Sequence, residues 1–200
     1  MFYSSLAIMA SSSAPPVLPF DTSSRFFAWV HEHSASPLCV DPACTYYNGS
    51  RAVDVMGQRR HDKGVMTYDG PAYYQDALWL CEGSATNSTP VQYVYTNSSS
   101  PPCHVAPPKM GFCNDPAPEL TVPAGATYVG LETGVNGLDA HHWSFYFPLY
   151  QSTADAWTAA AADLDNALVR FTGARVTTDY TSIAVSNLTD AHFAPPPQCA

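Results

Sequence analysis

Two histidines flank a glutamate at His31-Glu32-His33. That spacing puts both imidazoles on one side of an extended backbone, or about 200° apart on a helix. A zinc ion needs further ligands of the same kind, and His104 or the His141-His142 pair are the candidates if the fold brings them close. The simpler account is that these are surface and loop histidines. Asp139 and Glu132 fall near the ends of candidate strands and form a conceivable hydrolytic carboxylate pair. Carboxylates flanking turns are common, however, and nothing else supports the pairing. No Gly-x-Ser-x-Gly elbow, phosphate-binding glycine loop or His-Glu-x-x-His motif occurs. The chain therefore reads as non-catalytic, with no organic cofactor.

Aromatic side chains are the stronger lead. Trp79, Tyr93, Tyr95, Tyr128, Trp143, Phe145 and Phe147 all fall on candidate strands. Trp143, Phe145 and Phe147 alternate with polar or small positions and must share one face of a strand. If these strands form one concave surface, the rings converge, either as an ordinary packed core or as the wall of an apolar ligand pocket.

Composition narrows the class further. Hydrophobic residues make up 46% of the 200 positions, enough for one domain with a core. Charged residues are only 12%, about half the usual quarter. Six cysteines, Cys39, Cys44, Cys81, Cys103, Cys113 and Cys199, accompany four Asn-x-Ser/Thr acceptors at Asn48, Asn87, Asn97 and Asn187. Together they point to a secreted, disulfide-bonded glycoprotein. A net charge of −9 argues against nucleic acid and anionic membrane surfaces, both of which demand clustered Lys and Arg. Arg59-Arg60-His61-Asp62-Lys63 is the locally basic exception and reads as a solvated hairpin. No stretch approaches the roughly 20 apolar residues of a membrane-spanning helix. Met1–Ala14 lacks a basic start and has only a short apolar run, so it reads equally as a truncated signal or a plain N-terminal segment.

The elements that must position these residues are mostly strands. Residues 1–38 read as an N-terminal arm that docks the cluster Phe26-Phe27-Ala28-Trp29-Val30 on the body, leaving 39–200 as a single domain. Strands are expected at 52–56, 64–70, 73–81, 91–95, 126–132, 141–150 and 175–185, each bounded by turn residues. Residues 98–118 hold six prolines and two cysteines and read as a stapled loop. One segment follows a helical pattern. Ser152 to Asp155 resembles a capping box, and Trp157, Ala161, Leu164, Leu168 and Phe171 recur every three to four residues, predicting an α-helix over 154–171. The C-terminal Pro195-Pro196-Pro197-Gln198-Cys199 cannot enter a helix or an inner strand and must lie on the body, tied down through Cys199.

Several of these pieces stand in a familiar order. Asp190, Phe193, Pro195, Pro196 and Cys199 occupy an Asp-x-x-Phe-x-Pro-Pro-x-x-Cys pattern, and this tail resembles that of the ependymin-related proteins. Tyr68-Asp69-Gly70, Cys81 with Val91–Tyr95, Cys103, Val122-Pro123 and Gly137-Leu138 with Trp143 follow in the family's order over roughly residues 44–199. The family's cysteine after its Trp strand has no counterpart here. The resemblance implies a mainly β fold of two stacked, curved antiparallel sheets, related to bacterial lipoprotein carriers; the helix expected over 154–171 from its own spacing would dock on them. It also implies a deep pocket for a fatty acid or lipid, a Cys81–Cys199 disulfide, homodimer formation and a link to calcium, although no Asp-rich calcium loop names ligands. The remaining cysteines can then pair locally as Cys39–Cys44 and Cys103–Cys113. The function so implied is passive carriage or sequestration of a hydrophobic ligand. The alternative is an extracellular matrix or surface-assembly subunit that uses the same fold with a filled interior.

Overall fold

A computed structural model describes residues 14–18, 20–21, 25–34, 45–54, 57–67, 71–81, 91–107, 121–148, 151–173, 175–185 and 188–199. The strands in chain order are β1 (Phe20–Asp21), β2 (Arg25–Ser34), β3 (Thr45–Asp54), β4 (Arg59–Met66), β5 (Tyr73–Leu80), β6 (Val91–Thr96) and β7 (Cys103–Ala106). They continue as β8 (Thr121–Val122), β9 (Thr127–Val135), β10 (Leu138–Phe147), β11 (Ser152–Ala159), β12 (Leu168–Thr172) and β13 (Val176–Ala184). The protein is mainly β. Among the described residues no helix is long and apolar enough to cross a membrane.

Two meanders make one sheet. The strands β2 to β7 pair in sequence, as do β9 to β13, and β13 pairs antiparallel with β2. The result is an eleven-stranded ladder of order β7-β6-β5-β4-β3-β2-β13-β12-β11-β10-β9, with β1 and β8 forming a separate two-stranded ribbon. Two stacked sheets were expected. The β2–β13 pairing, running from Val176↔Ser34 to Ala184↔Phe27, instead joins the two halves into a single hydrogen-bonded sheet. A right-handed twist of roughly 20–25° per strand makes so wide a sheet curl rather than stay flat.

Directly opposed residues of an antiparallel pair share a face, so the register sorts every side chain. Phe26, Val53, Arg60 and Trp79 lie opposite one another across β2 to β5 and define the inner face. Phe27, Ala52, His61, Leu78 and Tyr93 do the same across β2 to β6 and define the outer face. The main core lies on the inner face, where Phe26, Val30, Val53, Trp143, Phe145, Phe147, Leu168, Phe171 and Tyr180 are buried, with Val122 of the ribbon laid against them. Each such side chain contributes about 1.5–3 kcal/mol by leaving water. Between β3 and β4 the backbones close tightly. A Cβ on Gly49 would lie 2.5 Å from the Cα of the facing Gly64, so both positions need glycine.

The segment expected to be a docked helix over 154–171 is β11, a 3-10 turn at Ala162–Leu164, and β12. Ala154, Ala156 and Thr158 alternate inward with Asp155 and Trp157 outward, and β11 is hydrogen-bonded to β10 on one side and β12 on the other. Asp165 and Asn166 both take positive φ, 47° and 54°, a turn that no helix can run through. Alanine fits both states; two neighbouring strands supplied the hydrogen bonds that decided between them. The 1–38 arm is also revised, because Arg25–Ser34 is a central strand with Phe26, Ala28 and Val30 facing the core. The rest of the expected signal segment, apart from Ala14, lies outside the described residues.

The C-terminal tail crosses the outer face of the first meander. Leu188 and Phe193 pack with Ala52 and Leu78, flanked by Phe27, Leu80 and Tyr93. The Arg59 guanidinium stacks on Phe193 at 4.2 Å and bonds Asp190 at 2.8 Å. Cys199 is bonded to Cys103, with 5.4 Å between their Cα atoms, not to Cys81. The reason is topological: Cys103 faces outward on the edge strand β7, where the tail's final turn arrives. This also excludes the expected Cys103–Cys113 pair. Cys81 is disulfide-bonded as well, whereas Cys39, Cys44 and Cys113 lie outside the described residues.

Candidate functional site

The inner face carries a row of aromatic rings and, beside it, a buried set of charges. Alternation along β10 turns Trp143, Phe145 and Phe147 inward together, as their spacing required. Phe147 meets Phe145 and Phe171 edge to face, with centroids at 6.4 and 5.3 Å. Trp143 donates its indole N–H to Thr158 Oγ1 at 3.1 Å. At the β9 edge Tyr128 lies 5.0 Å from the Trp143 ring and remains 38% exposed, so it forms a rim between solvent and the buried rings. Its hydroxyl is 3.3 Å from Nδ1 of His141, an inward histidine whose pKa burial pushes down.

The expected opposite wall of Trp79, Tyr93 and Tyr95 does not form. Trp79 faces inward, but period-2 alternation sends Tyr93 and Tyr95 to the outer face, Tyr93 beside the tail and Tyr95 against Tyr74.

The charged set was not foreseen. Arg60 and Asp62, read from sequence as part of a solvated hairpin, sit on β4 facing inward and are buried; Arg51 on β3, directly opposite Asp62, is 4% exposed. Arg51 donates to Asp62 through Nε at 3.0 Å and Nη2 at 3.3 Å, to Glu32 Oε1 at 3.0 Å and to the Tyr180 hydroxyl at 3.1 Å. Arg60 holds the same Asp62 through Nε at 3.1 Å and Nη2 at 2.8 Å. Aromatic rings wall the cluster: Trp79 beneath Arg60 at 5.7 Å, and Tyr47 and Tyr180 each 5.9 Å from Arg51. Burial alone would raise the Asp62 carboxyl, but Arg51 and Arg60 override it and hold it at about 2. Burial, then the Asp62 charge, push the Tyr47 phenol far up, so it stays a neutral hydroxyl. The alternation Arg60, Asp62, Gly64, Met66 against the outward Arg59, His61, Lys63, Val65 was the available signal.

The histidines do not assemble a metal centre. Extended backbone does bring His31 and His33 to one side, with ring centroids 5.4 Å apart, while Glu32 turns inward to Arg51. His33 pairs with Asp179 at 3.2 Å, in a network with Arg170 and Asn136 whose hydrogen bonds lower that carboxyl against its burial. His142 lies between Glu132 at 2.6 Å and Asp155 at 3.1 Å, stacked on Trp157 at 4.2 Å. Glu132 is thus committed to His142 and Trp157 rather than to a pair with Asp139. Among the described residues no group of three or more His, Cys, Asp or Glu side chains could hold a metal ion. Of the four glycan acceptors, Asn48 and Asn97 are exposed; Asn87 and Asn187 lie outside the described residues.

The chain matches no family model and no curated protein. Among solved structures it is similar to an uncharacterized conserved protein from Thermus thermophilus, at 10% identity and a TM-score of 0.50, over 88% of this chain and 89% of that one, a likeness of fold alone.

Proposed function

We propose that the protein is a secreted, non-catalytic carrier that holds a hydrophobic ligand, a fatty chain or lipid, against the curled inner face of its sheet. The observation that carries this reading is the partly exposed Tyr128 ring, tilted against buried Trp143 at the β9 edge, next to the inward row that continues to Phe145 and Phe147. The Cys103–Cys199 disulfide suits an oxidising compartment, and the motif order resembling ependymin-related proteins adds the same expectation of lipid carriage. Burial of the chain against aromatic surface, at about 25 cal/mol per Å², supplies the affinity without directed contacts. Native mass spectrometry of the purified protein and its organic extract tests the reading directly. A co-purified lipid, together with saturable binding of a fluorescent fatty-acid probe that Phe145→Arg abolishes in a folded variant, supports it.

A second reading, an extracellular structural subunit with a filled interior, is favoured by the near-complete burial of Trp143, Phe145 and Phe147 by protein atoms. In that case Phe145→Arg unfolds the domain, because an unpaired buried charge costs several kcal/mol, and the wild type binds no probe.

A further inference from the structure

We infer that the first sugar of a glycan on Asn48 packs over the Trp29 indole and covers an apolar strip on the outer face; this rests on the reading of the protein as secreted. Asn48-Gly49-Ser50 is one of the four acceptor sequences, and it lies inside β3 rather than in a turn. Val30 and Gly49 are directly opposed, and Val30 is buried in the core. The residues on either side of them therefore point outward. Asn48 stands between His31 of β2 and Val65 of β4, and Ser50 stands between Trp29 and Lys63. Trp29 is thus the diagonal neighbour of Asn48, a spacing of about 7–8 Å in an antiparallel pair and within reach of a large side chain.

Apolar exposure centres on the same position. The tail packs on Ala52 and Leu78 beside Phe27, but Trp29, two residues further along β2, is 52% exposed. Val65, on the other side of Asn48, is 43% exposed, and Asn48 itself is exposed. A single exposed apolar residue needs no explanation. Two that flank one acceptor on one face make an apolar strip with the attachment point in its middle. Attachment also fixes the occupant. A sugar on Asn48 Nδ2 is held beside the indole at high effective concentration and needs no affinity of its own. The C–H face of a pyranose suits the negative face of the indole, while its hydroxyls stay in water. Covering the ring removes apolar surface from water. The strands β2, β3 and β4 pair through this stretch without a register shift, so indole and acceptor are fixed relative to each other.

The test uses the full chain with its own N-terminus, expressed in a eukaryotic cell line, with glycopeptide mass spectrometry reading each acceptor. Wild type, Asn48→Gln, Trp29→Ala and the double variant form a cycle in which the other acceptors are kept. Asn48→Gln should lower the melting temperature by about 2–4 °C when Trp29 is present, and by less than about 1 °C when it is alanine. In wild type the C–H protons of the first sugar should resonate upfield of their place in the unfolded glycopeptide, through the indole ring current. An equal effect of Asn48→Gln in both backgrounds overturns the inference, as does the absence of that shift in a protein glycosylated at Asn48. So does an Asn48 left bare while another acceptor is occupied. A wild-type dimer that Trp29→Ala dissociates also overturns it, and assigns the strip to a second copy. Secretion stands in each of these cases. A chain that stays inside the cell with no acceptor occupied overturns the secretion reading, and this inference with it.

Discussion

Replacing Asp62 with Asn should cost about 3–5 kcal/mol at neutral pH, and the loss should have a defined pH signature. Asp62 accepts two hydrogen bonds from Arg51, at 3.0 and 3.3 Å, and its closest contact from Arg60 is 2.8 Å. The amide keeps the shape but removes the charge, leaving two buried guanidiniums with one carboxylate, Glu32, which bonds Arg51. Breaking a buried pair in this way typically costs about 3–5 kcal/mol. The carboxyl is held at about 2 in the folded protein against an ordinary 3.8, a difference worth on the order of 2 kcal/mol. A lowered folded-state value stabilises fully above the unfolded one and is lost as pH falls from about 4 towards about 2. The gap between wild type and variant should therefore narrow by about 2 kcal/mol over that window. Urea unfolding followed by tryptophan fluorescence, with Trp79 stacked on Arg60 as reporter, measures both. The combined Glu32→Gln, Arg51→Met, Arg60→Leu, Asp62→Leu protein should recover most of the loss, because apolar replacement of a whole buried ionic set is usually neutral or stabilising. A single-variant loss below about 1 kcal/mol, or a gap independent of pH, would refute the reasoning.

Cys199→Ser opens a link spanning 96 residues and should cost up to about 4–5 kcal/mol, lowering the melting temperature by on the order of 10 °C; an unchanged melt by scanning calorimetry would show that the tail is held without it. Phe193→Ala empties the buried site under Arg59 and should cost about 3–5 kcal/mol in the same unfolding assay, with new binding of a surface-hydrophobicity dye as the patch of Leu78 and Ala52 opens. Gly49→Ala drives a methyl to within 2.5 Å of Gly64 and should cost about 1–3 kcal/mol or more; wild-type stability would mean that the β3–β4 spacing is looser than the structure has it. If the chain is secreted by a eukaryotic host, glycosidase treatment should lower its mass through the exposed Asn48 or Asn97, and an unchanged mass would count against secretion.

The sequence by itself determined what depends on neighbours a few residues away. The inward set of Trp143, Phe145 and Phe147 followed from period-2 alternation, and the β class followed from turn-bounded strands. The prolines before Cys199 likewise excluded an inner strand and required the tail to lie on the body, although Asp190–Phe193 and Pro197–Cys199 each close a short 3-10 turn there. Tertiary structure decided what depends on distant partners. Alanine at 154, 156 and 159 suits a helix or a strand, and only hydrogen bonds from β10 and β12 chose between them. The cluster Phe26 to Val30 looked like a docking arm until β13, far along the chain, paired with it. Tyr93 and Trp79 looked like one wall because aromatic character does not say which face a strand presents; register with the neighbouring strands does. Arg60 and Asp62 looked solvated for the same reason. Their burial is tolerable because Arg51 on the adjoining strand meets Asp62 with matching charge, and Glu32 and Tyr180, remote in sequence, complete the hydrogen bonds of Arg51. Local periodicity is a property of the chain, whereas the desolvation of a charge is a property of everything that surrounds it once folded.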